Sequence, residues 1–509
     1  MKNKTLLLAG IILVKFILQY ALINPAYDLQ RDEYLHLDMA NHLAWGYISV
    51  PPMTSWISCI IKLLGNGVFW VKFFPALFGS LTLWLVWQTI NILKGGLFAL
   101  MLSSISILLG VLLRVNTLYQ PNSLDIFFWT LTYFTIVKYI STANTKWLLA
   151  SGIAIGLGLL SKYNIAFLVL GLMPALLLTE HKALFINKHF YMAMGIALAI
   201  VLPNIIWQYQ NHFPTWGQLQ ELAATQLVNV DRFVFVKDQF LYFANSIFLI
   251  IAAFLAFFRY QPFKKYKFFF WGYLFTIALF LFCKAKSYYA IGLYPMLIAF
   301  GAVYIEILLA EGWLKHLRGV AFVFVIGLSI PFLAIAMPIQ SPAQIQQNNQ
   351  RYKVLGLLRW EDGKDHPIPQ DFADMTGWSE LAHEVDAAYS QLPNKTGTLV
   401  LCDNYGQAGA INYYSSFKQI HAVSFDADYI NWIPLDKPIR HVILIKYKND
   451  KDKERITEKP LFNTVYKAWS NANPYSREYG TSIYVLKNAR ININKRIEKE
   501  IPEHGFSKQ

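Results

Sequence analysis

The chain has 509 residues, of which 55% are hydrophobic, 16% aromatic and only 15% charged, a composition that excludes an ordinary soluble protein and matches a polytopic membrane protein. The formal net charge is +14 at pH 7, but the lysines and arginines are scattered through short loops instead of forming an aromatic-studded stripe, which argues against nucleic acid as a partner. Cys59, Cys283 and Cys402 lie far apart without a CxxC pair, so neither a zinc site nor a disulfide framework is indicated.

The chain opens with Lys2 and Lys4 and an apolar run to Ile23 with no small-residue cleavage site after it, which reads as a retained signal anchor. Membrane-length apolar windows of about 20 residues then recur near 68–92, 96–113, 123–140, 147–161, 164–179, 190–207, 240–258, 268–283, 288–309 and 319–337. With the first segment this predicts about eleven transmembrane helices. Placing the N-terminus in the cytoplasm puts Lys94, Lys138 and Lys146, Lys182 and Lys188, Arg259 with Lys264, Lys265 and Lys267, and Lys315 with Arg318 all on the inner side. The outer loops are then 24–67, 114–122, a point near 162, 208–239, 284–287 and everything beyond 338. Within the two long ones, Tyr34 to Tyr47 and Trp216 to Val228 read as amphipathic helices lying on the membrane surface and roofing a cavity.

Beyond Pro338 the composition turns polar. The expected elements are a helix near 377–391, a strand at 397–402, a turn at 403–406, a helix near 407–416 and strands at 441–446 and 481–487, with a frayed tail from Asn488. The predicted architecture is therefore a polytopic α-helical membrane protein over 1–338 and a non-cytoplasmic soluble α/β domain over 339–509.

The densest chemistry follows the first hydrophobic segment: Arg31-Asp32-Glu33-Tyr34-Leu35-His36-Leu37-Asp38. Carboxylates beside a bilayer are costly unless they face water, a cation or a partner. On a helix, Asp32 and His36 stand at i,i+4 and Glu33 and His36 at i,i+3, so either pair could share a proton or a cation. An outer-face carboxylate suits a general base, while the same acids also complement a helix N-terminus. A divalent metal on Asp32 and His36 stays open as the one cofactor the residues suggest. Asp125, three residues after Asn122, is either part of a helix start or a second acid facing the same cavity. Arg31, Arg114, Lys162, Lys284 and Lys286 sit at outer span boundaries against the positive-inside trend. Single residues of this kind snorkel; five around one cavity suit an anionic lipid phosphate, with Tyr288 and Tyr289 adding hydroxyls. There is no Walker A sequence, Rossmann fingerprint, HExxH or serine elbow.

Arg31-Asp32-Glu33 with His42-Leu43-Ala44-Trp45-Gly46-Tyr47 and Pro51-Pro52, Asn122-x-x-Asp125-x-x-Phe128-Trp129-Thr130-Leu131, Gly156-Leu157-Gly158-Leu159-Leu160-Ser161-Lys162, Leu202-Pro203-Asn204-x-x-Trp207-Gln208 and Lys286-x-Tyr288-Tyr289 with Tyr294-Pro295 together resemble bacterial glycosyltransferase family 39. That family includes relatives of the dolichyl-phosphate-mannose protein mannosyltransferases and of the lipid A aminoarabinose transferases, with the GT-C fold. The resemblance covers residues 1–310. It implies an integral membrane enzyme of the bacterial inner membrane, taking a sugar from a polyprenyl-phosphate donor to a glycan, lipid or protein acceptor on the outer face, by inversion. It maps the essential first-loop acid onto Asp32, with Glu33 beside it, and the second-loop acid onto Asp125 next to Asn122. Together with the charge argument it assigns Arg114, Lys162 and Lys286, with Tyr288 and Tyr289, to the donor phosphate. The competing class is a polyprenyl-lipid flippase, which calls for ionisable residues in mid-span and related halves. A membrane-anchored binding protein would leave the ordered loop motifs without a purpose.

Overall fold

The computed structural model describes residues 2–504. Every one of the eleven apolar windows holds helix. Six helical segments are long and apolar enough to cross a membrane: Asn3–Ala21, Val68–Ile92, Lys188–Gln210, Gln261–Phe282, Ser287–Leu308 and Gly312–Ala336. Two bent pairs bring the number to eight if each counts as one span. Leu97–Leu108, Pro121–Thr142 and Thr145–Ser161 occupy further expected windows.

Without a hydrophobic drive between lipid-facing helices, close packing falls to small residues. Helix Thr145–Ser161 lies on Lys188–Gln210 through Gly152 and Gly156. A Cβ at Gly152 would sit 2.2 Å from the Ala193 carbonyl oxygen, and one at Gly156 3.1 Å from the Ala197 Cα.

Two sequence expectations shift. The window 240–258 is not one straight helix, because Arg232–Tyr242 and Ile247–Arg259 meet at 97°. The break is held by Asn245, whose amide donates to the Ser106 carbonyl (3.2 Å) and the Ser329 hydroxyl (3.0 Å) on neighbouring helices. In the first outer loop, the stretch expected to run helically from Tyr34 to Tyr47 stops at Asp38, passes through a short 3₁₀ turn at Met39–Asn41, and then becomes an irregular strap. That strap is pinned to the helix Lys188–Gln210. Asn204 donates to the Trp45 carbonyl (2.8 Å), and Gly46 lies so close that a Cβ would meet Trp207 at 2.3 Å. A further helix in this loop, Met53–Leu63, was not expected. In the other long loop the amphipathic helix is Pro214–Thr225, close to expectation.

The C-terminal region carries a five-stranded sheet in the order β2-β1-β3-β5-β4, with β1 Thr398–Cys402, β2 Ala422–Ser424, β3 His441–Lys446, β4 Phe462–Ser470 and β5 Ser482–Ala489. β1 runs parallel to β2 and β3, and β5 antiparallel to β3 and β4. β2 and β4 escaped the sequence reading: β2 has three residues, and β4 is largely exposed, so neither shows a clean two-residue alternation.

The inner strands alternate faces as a period of two residues requires. Val400, Cys402, Ile443, Ile445, Ile483 and Val485 point to one core, and Leu399, Val442, Leu444, Tyr484 and Leu486 to the other. The expected frayed tail is a helix, Ile493–His504, because Ile493 and Ile497 stand one turn apart and bury 96–97% of their surface in the second core (4% and 3% exposed). The first core includes the helices Trp378–Ser390 and Tyr405–Tyr414 and runs on into Leu29, Tyr34, Leu35, Leu37, Tyr47, Ile61 and Val71. One apolar core thus joins the sheet to the segment 29–71. Polar contacts seal the junction: Asp28 caps the helix Trp378–Ser390 by accepting from the Trp378 and Ser379 amides (2.8 and 3.2 Å), and Asp428 accepts from the Ile48 amide (2.6 Å) and the Ser49 hydroxyl (2.7 Å).

Candidate active site

The helix Arg31–Asp38 begins with a reciprocal cap. The Gln30 side chain accepts from the Asp32 amide (2.8 Å), and Glu33 accepts from the Gln30 amide (2.7 Å). Glu33 is fully buried and its carboxylate is filled by three partners: the Gln30 amide, the Tyr119 amide (2.6 Å), and the Lys72 ammonium at 2.7 and 2.8 Å to its two oxygens. Adjacent helical residues diverge by about 100°, so Asp32 faces elsewhere. Its Oδ1 accepts from the Tyr405 hydroxyl (2.6 Å) and its Oδ2 from the Gln120 amide (3.0 Å). Glu33, paired in the sequence reading with Asp32 as catalytic, is a clamp on the helix start; Asp32 alone of the two has partners that are neutral.

From Asp32 a hydrogen-bonded line runs to Lys162. The Lys162 ammonium, which can only donate, bonds Asn122 Oδ1 (2.7 Å); the Asn122 amide then donates to Gln120 Oε1 (2.9 Å), which leaves the Gln120 amide to donate to Asp32. Each amide orientation follows from the fixed ends. Lys162 also stands 4.3 Å from the Tyr289 ring centroid and 5.2 Å from that of Tyr288, a cation–π pocket that holds an ammonium without neutralising it. Pro121 at the first turn of the helix Pro121–Thr142 and Lys162 directly after Thr145–Ser161 bring these side chains together at one end of the two helices.

Lys286 donates to Glu361 (2.5 Å) and to the Gln226 side chain (2.7 Å). Burial opposes its charge, but Glu361 and Tyr289 carry the ammonium above its ordinary value. Burial likewise opposes ionisation of Glu361, yet the Lys286 ammonium and the Gln370 amide, bonded at 3.0 Å, pull it down to about 2. Asp32 lies within electrostatic reach of Lys286 and of His36, and His36 within reach of Lys162, so the four belong to one cluster.

Arg31 sits at the rim with its guanidinium 4.0 Å over the Tyr405 ring, and Arg477 is paired with Asp374 (2.9 Å). Arg114 is engaged elsewhere, by Thr117 (3.2 Å) and Asp371 (3.5 Å), and joins no hydrogen bond of the Asp32–Lys162 line. Asp125 is buried and tied: it accepts from the Trp129 indole and the Asn164 amide, both at 2.9 Å, and Asn164 also donates to the Tyr289 carbonyl (3.0 Å). It braces the segment carrying Tyr289 and does not open to the cavity.

His36 is buried with its Nδ1 unpartnered; burial lowers it to about 4 against the pull of Asp32 and Glu33, so the ring is neutral near pH 7. Among the described residues no three His, Cys, Asp or Glu side chains gather as a metal cage. Both Asp32 oxygens already accept hydrogen bonds and His36 offers a ring nitrogen, so this pair by itself does not fit Mg²⁺, which takes oxygen ligands.

Gln120, Tyr405, Glu361 and Lys72 were not assigned from the sequence. Gln120 carried the one available signal, its place directly before Pro121 at a helix start. The other three reach the site from distant segments.

Residues 49–207 match the family model described as dolichyl-phosphate-mannose-protein mannosyltransferase. The lipid A galacturonosyltransferase RgtD of Rhizobium johnstonii is 24% identical over 200 residues, 39% of this chain and 42% of that protein; the match spans about two fifths of that relative's length. ArnT from Cupriavidus metallidurans, in its crystal structure bound to undecaprenyl phosphate, superposes with a TM-score of 0.61 at 13% identity, covering 95% of this chain and 98% of that one. Its apo structure gives 0.59 at 12% identity over the same shares, 95% and 98%. The chain thus shares the fold of ArnT along nearly its whole length, and its residues 49–207 are similar to the mannosyltransferase family.

Proposed function

We propose that the protein transfers a sugar from a polyprenyl-phosphate donor to an acceptor at the outer face of the cytoplasmic membrane, with inversion at the anomeric carbon. The observation that carries this reading is the Asp32 carboxylate, held by two neutral donors, joined to the Lys162 ammonium through Gln120 and Asn122, and within electrostatic reach of Lys286. Asp32 takes the proton of the acceptor hydroxyl or amine as that atom bonds to the anomeric carbon. The bond from that carbon to the phosphate oxygen breaks on the opposite face, and the lipid phosphate leaves with the electron pair, stabilised by Lys162 and Lys286. No nucleotide enters this step, because the donor is already activated.

The outer-side placement of the mouth and of residues 339–509 rests on the alternation of basic loops. The undecaprenyl phosphate bound by ArnT supports the donor class, and the name of RgtD supports a lipid-borne acceptor. Nothing in these relatives favours a flippase. The test is sugar release from radiolabelled polyprenyl-phosphate sugars by the purified protein, wild type beside Asp32→Asn. Turnover of one donor, abolished in a folded Asp32→Asn protein, is the expected result. An active Asp32→Asn enzyme overturns the base assignment, and transfer of the lipids between liposome leaflets without sugar release overturns the reaction.

A further inference from the structure

The helix Tyr405–Tyr414 belongs to the sheet region, yet it lies flat on the helix Arg31–Asp38. Two glycines one turn apart permit this. A Cβ at Gly406 would meet Arg31 Cγ at 2.6 Å, and one at Gly409 would meet Tyr34 Cβ and the Tyr429 hydroxyl at 2.7 Å. With any side chain at these positions the two helices would stand farther apart. The close approach fixes Tyr405, at the first helical position. Its amide donates to Asp426 (3.2 Å), its ring carries the Arg31 guanidinium, and its hydroxyl donates to Asp32 Oδ1 (2.6 Å).

A buried tyrosine hydroxyl always needs some partner, so burial alone would explain a bond of this kind. What singles this one out is the identity of the acceptor. Asp32 makes no ion pair among the described residues, whereas Glu33, Glu361 and Asp374 nearby are each paired with a cation. A contacting cation lowers a carboxylate's affinity for protons and would spoil a base. Neutral donors on both oxygens fix its direction at a smaller cost to basicity. Gln120 supplies one from the membrane helices, and Tyr405 supplies the other from the sheet region.

Resting on the reading of Asp32 as base, we infer that Tyr405 is a positioning residue, through which the C-terminal sheet region aims the Asp32 carboxylate at the acceptor. The geometry makes that region part of the reaction machinery and not merely a cover.

The experiment uses the full-length enzyme in detergent or nanodiscs, with a turned-over polyprenyl-phosphate sugar. Tyr405→Phe is expected to lower kcat about 10- to 100-fold at unchanged donor KM, a split that a merely structural loss would not give. Incorporating 3-fluorotyrosine at 405, which keeps the ring and the donating hydroxyl, is expected to retain kcat and guards against a folding failure of the phenylalanine variant. Wild-type kcat in the Tyr405→Phe protein, or a loss of kcat in the 3-fluorotyrosine protein as large as in Tyr405→Phe, with Asp32→Asn inactive, overturns the role of Tyr405 and leaves the base assignment standing. Activity in Asp32→Asn instead overturns the base itself.

Discussion

Glu33 and Asp32 are adjacent acids, and the structure predicts opposite consequences for their neutralisation. Glu33 is wholly buried, Lys72 is 7% exposed, and the carboxylate accepts two backbone amides besides the ammonium. Glu33→Gln leaves the Lys72 charge buried and uncompensated and asks one amide oxygen to serve both backbone donors. Breaking a buried pair from one side costs about 3–5 kcal/mol. Lys72→Met, which strands the carboxylate, falls in the same range. The double variant removes both charges and leaves mainly one imperfectly satisfied backbone group, about 1–3 kcal/mol, so it should be more stable than either single variant. A polytopic chain of this kind does not license a two-state free energy; the check is the order of melting midpoints of the purified proteins, with wild type highest, the double variant next and both single variants lowest. Sugar transfer per folded molecule in the double variant should stay within about tenfold of wild type, because Glu33 acts by holding the helix start. A Glu33→Gln protein that melts like wild type but transfers no sugar would refute this reasoning and return Glu33 to the chemistry.

Two further outcomes follow from the charges around the mouth. Glu361 occupies Lys286 in the free protein, so an anionic donor must compete with it; Glu361→Gln should lower the donor KM several-fold and Lys286→Met should raise it, measured by initial rates, and an unchanged KM in both would remove Lys286 from the donor site. Burial holds His36 neutral in the fold, with its pKa lowered to about 4 from the ordinary 6.5. Because its folded value is depressed, the unfolded chain binds a proton that the native state refuses between those values, and stability is lost as pH falls from about 6.5 to 4. The melting midpoint should drop across that window, and His36→Gln should flatten the drop; an equal slope in both proteins would exclude His36 as its source.

Local patterns were legible without the fold. The eleven apolar windows became helices because backbone polar groups in a bilayer must be satisfied within the segment, and hydropathy alone reports that demand. The strands at 441–446 and 397–402 and the helix near 377–391 announced themselves through period and propensity. The acids and cations at span boundaries stood out because charge is expensive there. The tail helix Ile493–His504 was missed although Ile493 and Ile497 gave the signal, since its alternating charges outweighed two residues whose value depends on a sheet face to receive them.

What the sequence by itself determined is therefore the membrane architecture and the membership of the polar cluster: Asp32, Asn122, Lys162, Lys286 and the tyrosine pair. The division of labour among those residues came only with tertiary structure. Asp32 and Glu33 are chemically near-equivalent one position apart, and only the arrival of Lys72 and the Tyr119 amide on one side, and of Gln120 and Tyr405 on the other, separates a clamp from a candidate base. Asp125 looked like a second open acid until Trp129 and Asn164 closed over it. Tyr405 lies 373 residues from the carboxylate it touches. No periodicity or spacing encodes such a contact, because it depends on two glycines letting one helix lie on another, and on a sheet core that continues into a membrane-side loop.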